Sequence, residues 1–152
     1  MIVPTSAEED VGAKIIDTLS RKTGGTLKLN ESKTTVSRFS ESNRLLTTDR
    51  PLSYLGFDFD GTRKHIRPRT FARYQRRMIQ AVRSASRAAN KAAASGKDGK
   101  IWRRELYERY THLGRRNFIT YAYRCAEIMN APEIKRQTKN HWKQINALIE
   151  ES

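Results

Sequence analysis

Two carboxylates, Asp58 and Asp60, stand one residue apart in the segment YLGFDFDGT, residues 54–62. Paired carboxylates are candidates for a nucleophile and for a general acid and base. The apolar residues before them are typical of a buried strand, which would hold the pair at its end. The elements around the segment decide whether this chemistry is available.

The segment resembles the nucleophile motif of haloacid-dehalogenase-type phosphatases, a hydrophobic strand that ends in D-x-D-G-T. That family further requires a downstream lysine and a later acidic pair that completes a Mg²⁺ site. After Gly61 the chain holds a single aspartate, Asp98, and no acidic loop follows a hydrophobic strand. A hard cation with only two aspartate ligands would be weakly held. The sequence therefore disfavours a phosphatase.

The same letters predict a β-hairpin. Leu55, Phe57 and Phe59 alternate on one face of a strand, as period-two spacing requires. Asp60-Gly61 supplies the residues of a tight two-residue loop with positive φ angles. RKHIR, residues 63–67, is then the partner strand, which ends before a proline.

The charge of the chain is strongly basic and unevenly placed. Its formal net charge is +14 and its pI is about 10.3. Residues 1–61 hold 8 Lys+Arg against 9 Asp+Glu, whereas residues 62–152 hold 22 against 7. An excess of this size predicts a polyanionic partner, with nucleic acid as the first candidate.

Signals for membrane insertion and secretion are missing from the sequence. No apolar run approaches the ~20 residues of a membrane helix, and the start MIVPTSAEED turns acidic, which is not typical of a signal peptide. The single cysteine, Cys125, fits a reducing compartment. We therefore expect a cytoplasmic protein with no membrane partner.

Before the hairpin, the pattern predicts one helix and two short strands. Ser6 and Glu9 form a capping box that starts the helix. Its expected buried stripe consists of Val11, Ile15, Ile16 and Leu19. Gly24-Gly25 ends it, and TLKLN (26–30) and SKTTVSRFS (32–40) are the predicted strands.

From Thr70 the periodicity becomes helical. The predicted buried stripe of the first helix consists of Phe71, Tyr74, Met78, Val82, Ala85 and Ala89. Further helices are predicted at 101–113, after Asn117 as a cap, and from Pro132. The fold class is therefore α+β, with a small mixed part at residues 1–67 and a basic bundle of about four helices at residues 68–152.

Four segments together resemble the C-terminal part of bacterial reverse transcriptases, particularly those unlinked to mobile introns, which include phage-defence enzymes. LKLNESKT (27–34) is similar to motif D, and YLGFDFDG (54–61) is similar to motif E, the primer grip. IRPRTFARYQRRM (66–78) and YTHLGRRNFITYAYRCAEIM (110–129) resemble the thumb. The resemblance implies a palm C-terminal portion at 1–67 with a primer-grip-like hairpin, and a thumb at 68–152.

The chain departs from this family at its catalytic centre. The family uses a Tyr-x-Asp-Asp turn and an earlier aspartate to hold two metal ions, and neither is present. Because MIVP resembles the strand that leaves that turn, we expect the chain to begin just after the catalytic pair. Mg²⁺ is then expected for the complete enzyme and no cofactor for these residues. The implied partners are an RNA or DNA template–primer and the missing fingers–palm portion or another protein chain.

The resemblance also assigns candidate site residues. Lys33 matches the motif D lysine, which would assist the departing pyrophosphate in a complete enzyme. The primer-grip positions are Leu55, Gly56, Phe57 and Asp58.

A basic stripe on the helix after Thr70 is the main candidate for contact with a phosphate backbone. It consists of Arg73, Arg76, Arg83, Arg87 and Lys91, at helical spacing opposite the buried stripe. Further candidates are Arg77, Arg103, Arg104, Arg115, Arg116, Lys139 and Lys143. A solvated helix face is the alternative for such a stripe, but residues 69–91 contain no acid to balance it.

The spacings of His65, His112, His141 and Cys125 fit no compact metal-ligand pair, so no metal site is predicted.

The leading hypothesis is a reverse-transcriptase portion that binds template–primer in RNA-directed DNA synthesis and is inactive alone. The alternative is a stand-alone basic nucleic-acid-binding protein.

Overall fold

The structure is a computed structural model that describes residues 11–28, 30, 32 and 34–151, with Val11 described by its backbone alone. The predicted strand end in MIVP, the capping box at Ser6 and Glu9, and Lys33 lie outside the described residues. The chain divides into two compact units, Met1–Arg38 and Phe39–Ser152. The predicted domain boundary after residue 67 falls inside the second unit and stays a prediction.

The first unit contains the helix α1 (Val11–Thr23). Its predicted stripe is not buried, since Ile15 and Leu19 are half-buried and Ile16 is exposed. The two strands predicted after it are also wrong, because Thr26–Lys28 and residues 34–39 have no regular structure. Strand propensity reflects packing against a sheet face, and the described residues of this unit contain no strand.

The second unit begins with two small antiparallel sheets. The first pairs β1 (Ser40–Ser42) with β2 (Leu45–Thr47). The second has the order β3-β4-β5, formed by Leu52–Tyr54, Phe57–Phe59 and Lys64–Ile66. Because β4 is central, the segment YLGFDFDGT takes part in two hairpins rather than the single predicted one.

The β4–β5 loop is shifted by one residue from the prediction. Phe59 pairs with Lys64, and the Asp60 N–H donates to the Arg63 carbonyl at 3.2 Å, so the two-residue loop is Gly61-Thr62 and not Asp60-Gly61. The Asp60 carboxylate accepts the backbone N–H groups of Thr62 at 3.0 Å and Arg63 at 2.6 Å. Gly61 has a φ of +100°, and a Cβ there would collide with the Leu46 carbonyl group.

Helices form the rest of the unit, and the predicted α+β fold class is confirmed. They are α2 (Pro68–Ala94), α3 (Arg103–Tyr110), α4 (Phe118–Ile128), α5 (Pro132–Thr138) and α6 (His141–Glu150). Asn117 caps α4 as predicted, because its side chain accepts the Thr120 N–H at 2.9 Å. The part after residue 67 has five helices rather than about four. None of the helices in the described ranges is long and apolar enough to span a membrane.

The extra helix arises because the last predicted helix is broken between α5 and α6. In a continuous helix the Thr138 carbonyl would accept the N–H of Trp142. Instead the His141 ring donates to that carbonyl, with Nδ1 and O 2.6 Å apart. The stripe predicted for one helix therefore divides between two, with Ile134 in the first and Ile145 in the second, both fully buried.

Two hydrophobic clusters hold the unit together. The helical core joins α2, α3, α4 and α6 through Tyr74, Met78, Val82, Leu106, Tyr110, Ile119, Ile145 and Ile149. The sheet core joins β4 and β5 to α4 and α5 through Phe57, Ile66, Ala122, Ala126, Ala131 and Ile134. Phe71 and Phe118 pack against both. The three-stranded sheet and the helices therefore share a continuous interior.

Candidate nucleic-acid interface

One long helix carries the candidate basic stripe. Helix α2 begins at Pro68, which is suited to a first helical turn because its missing N–H would have no partner there. One side is buried in the helical core by Tyr74, Met78 and Val82. Its 27 residues span about 40 Å at 1.5 Å per residue. The buried side fixes the direction of the opposite side, so the stripe lies on a rigid support.

The stripe residues lie on the exposed side, as their spacing predicts. At 100° per residue they occupy a sector of roughly 80° around the axis, which Arg77 extends to roughly 120°. The exposed cationic side chains in this sector are Arg69, Arg73, Arg76, Arg77, Arg83, Arg87 and Lys91. We call this set the α2 basic face. Arg69 was missed by the sequence prediction because the helix begins at Pro68 rather than Thr70.

Among the residues that the structure describes, no acid forms an ion pair with the α2 basic face. The segment Pro68–Ala94 contains no aspartate or glutamate. The described ion pairs lie elsewhere, such as Arg104 with Glu108 at 2.9 Å and Lys135 with Glu127 at 3.0 Å. Like charges at helical spacing repel one another, which destabilises a helix slightly unless a polyanion lies against them. The face therefore has the electrostatic character of a phosphate-binding surface.

The remaining predicted basic residues are exposed but lie on other elements. Arg103 and Arg104 are in the first turn of α3, Arg115 and Arg116 precede α4, Lys139 follows α5, and Lys143 is in α6. Helices α3 and α6 pack against α2, whereas α5 packs against α4 and β5. These cations therefore belong to several surfaces, and only the α2 set forms a single face.

The predicted primer-grip segment forms the β3–β4 turn. Tyr54 pairs with Phe57, so Leu55 and Gly56 are the two loop residues. Both have positive φ, +47° for Leu55 and +88° for Gly56, as a type I′ turn requires. The prediction that Leu55 lies on the strand face with Phe57 is therefore wrong. Its side chain is 69% exposed at the tip.

The hairpin tip lies against the start of α2. The Arg67 N–H donates to the Gly56 carbonyl at 2.9 Å, and Arg67 is the residue that precedes the first turn of α2. A Cβ on Gly56 would lie 3.4 Å from the Thr70 side chain. Gly56 thus combines the left-handed conformation with a close approach to the helix. The tip, with exposed Tyr54 and Leu55, adjoins the end of α2 that carries Arg69 and Arg73.

The other two primer-grip residues have structural partners. Phe57 is buried in the sheet core and stacks near Tyr121, with ring centroids 5.8 Å apart. Asp58 points to the other face of β4 and accepts the Ser53 hydroxyl at 2.6 Å across the strand pair.

The neighbouring carboxylate, Asp60, is also engaged. Hydrogen bonds from the Arg63 and Thr62 N–H groups hold the pKa of its carboxyl below the usual value. Asp58 and Asp60 therefore support a hairpin and a turn, which gives the phosphatase interpretation no further support.

Two histidines meet at the junction of α5 and α6, which sequence spacing did not predict. His112 Nδ1 and His141 Nε2 are 3.1 Å apart although the residues are 29 positions apart in the chain. Because His141 Nδ1 donates to the Thr138 carbonyl, its Nε2 accepts the His112 N–H. Burial lowers the pKa of His141, and His112 adds to this effect while the Thr138 carbonyl opposes it. In the described part of the chain, no group of three or more His, Cys, Asp or Glu is arranged to hold a metal.

No protein-family model matches the chain, and no curated protein matches it significantly. The functional argument therefore depends on the α2 basic face and the hairpin tip themselves.

Proposed function

We propose that the chain binds the sugar–phosphate backbone of a nucleic-acid duplex through the α2 basic face. We further propose that it does so as the palm-end and thumb portion of a bacterial, cytoplasmic reverse transcriptase that holds a template–primer. The observation that carries the proposal is a face of seven exposed cations on one helix that contains no acid. Phosphate contacts of this kind position a duplex without reading its sequence.

The support for this face is its rigidity as well as its charge. A cation on a mobile segment loses conformational entropy when it binds, whereas the backbone of α2 is already fixed by the helical core. Arginine is the dominant residue, and its planar guanidinium group can donate two parallel hydrogen bonds to one phosphate. Lys91 supplies a single ammonium group at the far end.

The hairpin tip supports the template–primer part of the proposal. The tip is uncharged at Tyr54, Leu55 and Gly56 and adjoins the start of the α2 basic face. A duplex that lies along α2 would therefore meet the tip near one end. There the backbone of Gly56 and the exposed Leu55 can contact the sugars of a terminal nucleotide, the role that the resemblance implies for Leu55, Gly56, Phe57 and Asp58.

Nucleotide addition itself requires residues that the sequence does not contain. The Tyr-x-Asp-Asp turn that would hold Mg²⁺ is absent from the 152 residues. Lys33 would assist the departing pyrophosphate only in a complete enzyme, and antiviral defence would be the role of that enzyme. The proposal for this chain is therefore binding, with catalysis assigned to an assembly that includes a fingers–palm portion or another chain.

A binding titration tests the proposal. A labelled RNA–DNA primer–template duplex is titrated with the protein at 50, 100 and 200 mM salt, and binding is followed by fluorescence anisotropy. Each phosphate contact contributes about 0.9 to the slope of log affinity against log salt. We expect a slope of about −2.7 to −5.4, because three to six cations of the face contact one duplex. Undetectable binding, or affinity independent of salt, would refute the proposal.

The alternative, a stand-alone basic nucleic-acid-binding protein, is favoured by the missing Tyr-x-Asp-Asp. A mixing experiment separates the two. The protein is combined with a separate fingers–palm polypeptide of a reverse transcriptase of the resembled class, and primer extension is measured. Extension that needs both polypeptides supports the reverse-transcriptase assignment. Duplex binding without extension in any combination supports the alternative.

A further inference from the structure

A groove lies between α2 and α3, at the edge of the helical core, and Leu106 and Tyr110 of that core form part of its lining. Its volume is about 430 Å³, which is within the range of ligand-binding clefts. Alanines and Ser84 of α2 form one wall. Trp102, Glu105 and Arg109 from the start and body of α3 line the other side.

Trp102 is the unusual residue of this groove. It immediately precedes α3 and its side chain is 81% exposed, the most exposed large apolar side chain among the described residues. The other tryptophan, Trp142, packs against Tyr107 with ring centroids 4.7 Å apart and is half-buried. Trp102 has no such ring partner in the described part of the chain. An exposed indole beside a groove offers a flat apolar surface on which a planar group can stack.

The charges of the groove balance one another. Asp98 and Lys100 form an ion pair at 2.9 Å, and Glu105 and Arg109 are separated by one helical turn. A phosphate would gain little from this balanced wall. A nucleobase fits it better, because its edge is uncharged and carries both hydrogen-bond donors and acceptors. Glu105 can accept a hydrogen bond from a donor of the base, and Arg109 can donate one to an acceptor.

The groove opens beside the α2 basic face. Ser84 lies seven residues after Arg77 and seven before Lys91. Seven residues are close to two full helical turns, so these three side chains lie on one line along α2, about 10 Å apart. A strand whose phosphates contact Arg77 and Lys91 would therefore pass directly over the groove wall at Ser84.

We propose that the groove receives one unpaired nucleobase, stacked on Trp102, from a single strand whose phosphates on either side, about 20 Å apart and not adjacent to one another, contact Arg77 and Lys91. The inference rests on the proposed nucleic-acid binding and adds a second mode to it, in which an unpaired segment is held beside the duplex. Aromatic stacking of this kind tolerates any base sequence. The base and phosphate chemistry is common to DNA and RNA, so either strand type can occupy the site.

Fluorescence of Trp102 tests this inference. In a Trp142→Phe background Trp102 is the only tryptophan. The protein is titrated with a thymidine 12-mer, a uridine 12-mer and a blunt 12-base-pair duplex. We expect quenching by one or both single strands and little by the duplex, and the two single strands show which strand type is preferred. Adding Trp102→Tyr should retain most of the single-strand affinity.

The variant Trp102→Ala should weaken single-strand binding about tenfold or more and leave duplex binding unchanged. Ile128→Ala, which removes an exposed apolar side chain on α4, is the control and should change neither. Normal single-strand affinity in Trp102→Ala, or absence of quenching, overturns the groove proposal while duplex binding persists. If the parent protein does not bind the duplex, the proposed function is overturned instead.

Discussion

The α2 basic face and the β3–β4 hairpin tip adjoin one another but are formed in different ways. The face is a regular helix side on which only charge is unusual, with seven exposed cations and no acid. The tip carries no charge at Tyr54–Gly56, and its unusual feature is the backbone, with a leucine at a φ of +47°. The face can therefore supply affinity through electrostatics, whereas the tip can supply position through a rigid turn.

This difference indicates which measurements report on each region. Electrostatic contacts weaken with salt, so salt dependence reports on the face. The conformation of a turn that is held by packing and backbone hydrogen bonds depends little on salt. The free energy of unfolding therefore reports on the tip. The predictions below use this separation and run from the largest expected effect to the smallest.

The largest effect is expected where the hairpin joins the helices. Ile66 in β5 is 1% exposed in the sheet core, and its backbone bonds the Gln137 side chain at 2.7 Å. Ile66→Ala should lower the free energy of unfolding by about 2–5 kcal/mol because it leaves a cavity. Ile128→Ala, at a 77% exposed position, is the control and should change it by less than ~0.5 kcal/mol. Equal effects in chemical denaturation would show that the sheet is not packed on the helices.

A smaller effect is expected at the turn itself. A leucine at positive φ is strained by about 1 kcal/mol, and asparagine tolerates this conformation better. Leu55→Asn should therefore raise the free energy of unfolding by about 1 kcal/mol. Leu55→Ala removes the exposed side chain but keeps the strain, so its stability should stay near that of the parent. If the alanine and asparagine variants melt at the same temperature, Leu55 is not strained.

The pH dependence of stability separates the core from the face. The pKa of His141 is lower in the folded state than its usual value of 6.5. As the pH falls, His141 therefore binds a proton in the unfolded chain before it does so in the folded protein. Stability from this residue is complete above pH 6.5 and is lost as the pH falls below it. His141→Gln should flatten that part of the pH profile. Duplex affinity through the arginines should not change between pH 6 and 8.

The comparison also explains what sequence could predict. The α2 basic face was predictable because helical spacing and the missing acids are local features of the sequence. The packing of the opposite side of α2 in the helical core agrees with them. Arg69 was missed only because the helix start was placed at Thr70. The tip was not predictable in detail, since a leucine in a type I′ turn violates turn preferences, and the contact of Gly56 with the start of α2 outweighs them.

Other errors have the same origin in long-range contacts. The break between α5 and α6 depends on the buried His141 ring taking the Thr138 carbonyl, which no periodicity contains. The α2–α3 groove depends on how two helices pack. Strand propensity at residues 26–28 and 34–39 predicted pairing that the described residues do not make.

The central claim is that the α2 basic face, rather than net charge alone, binds the duplex. Its most direct test is the salt slope of duplex affinity for two variants of equal net charge. One replaces Arg76, Arg83 and Arg87 by glutamine on the face, and the other replaces Lys14, Arg21 and Lys22 by glutamine on α1. We predict that the slope becomes shallower by up to about 2.7 in the first variant and stays close to the parent value in the second. Equal slopes in the two variants would contradict the claim.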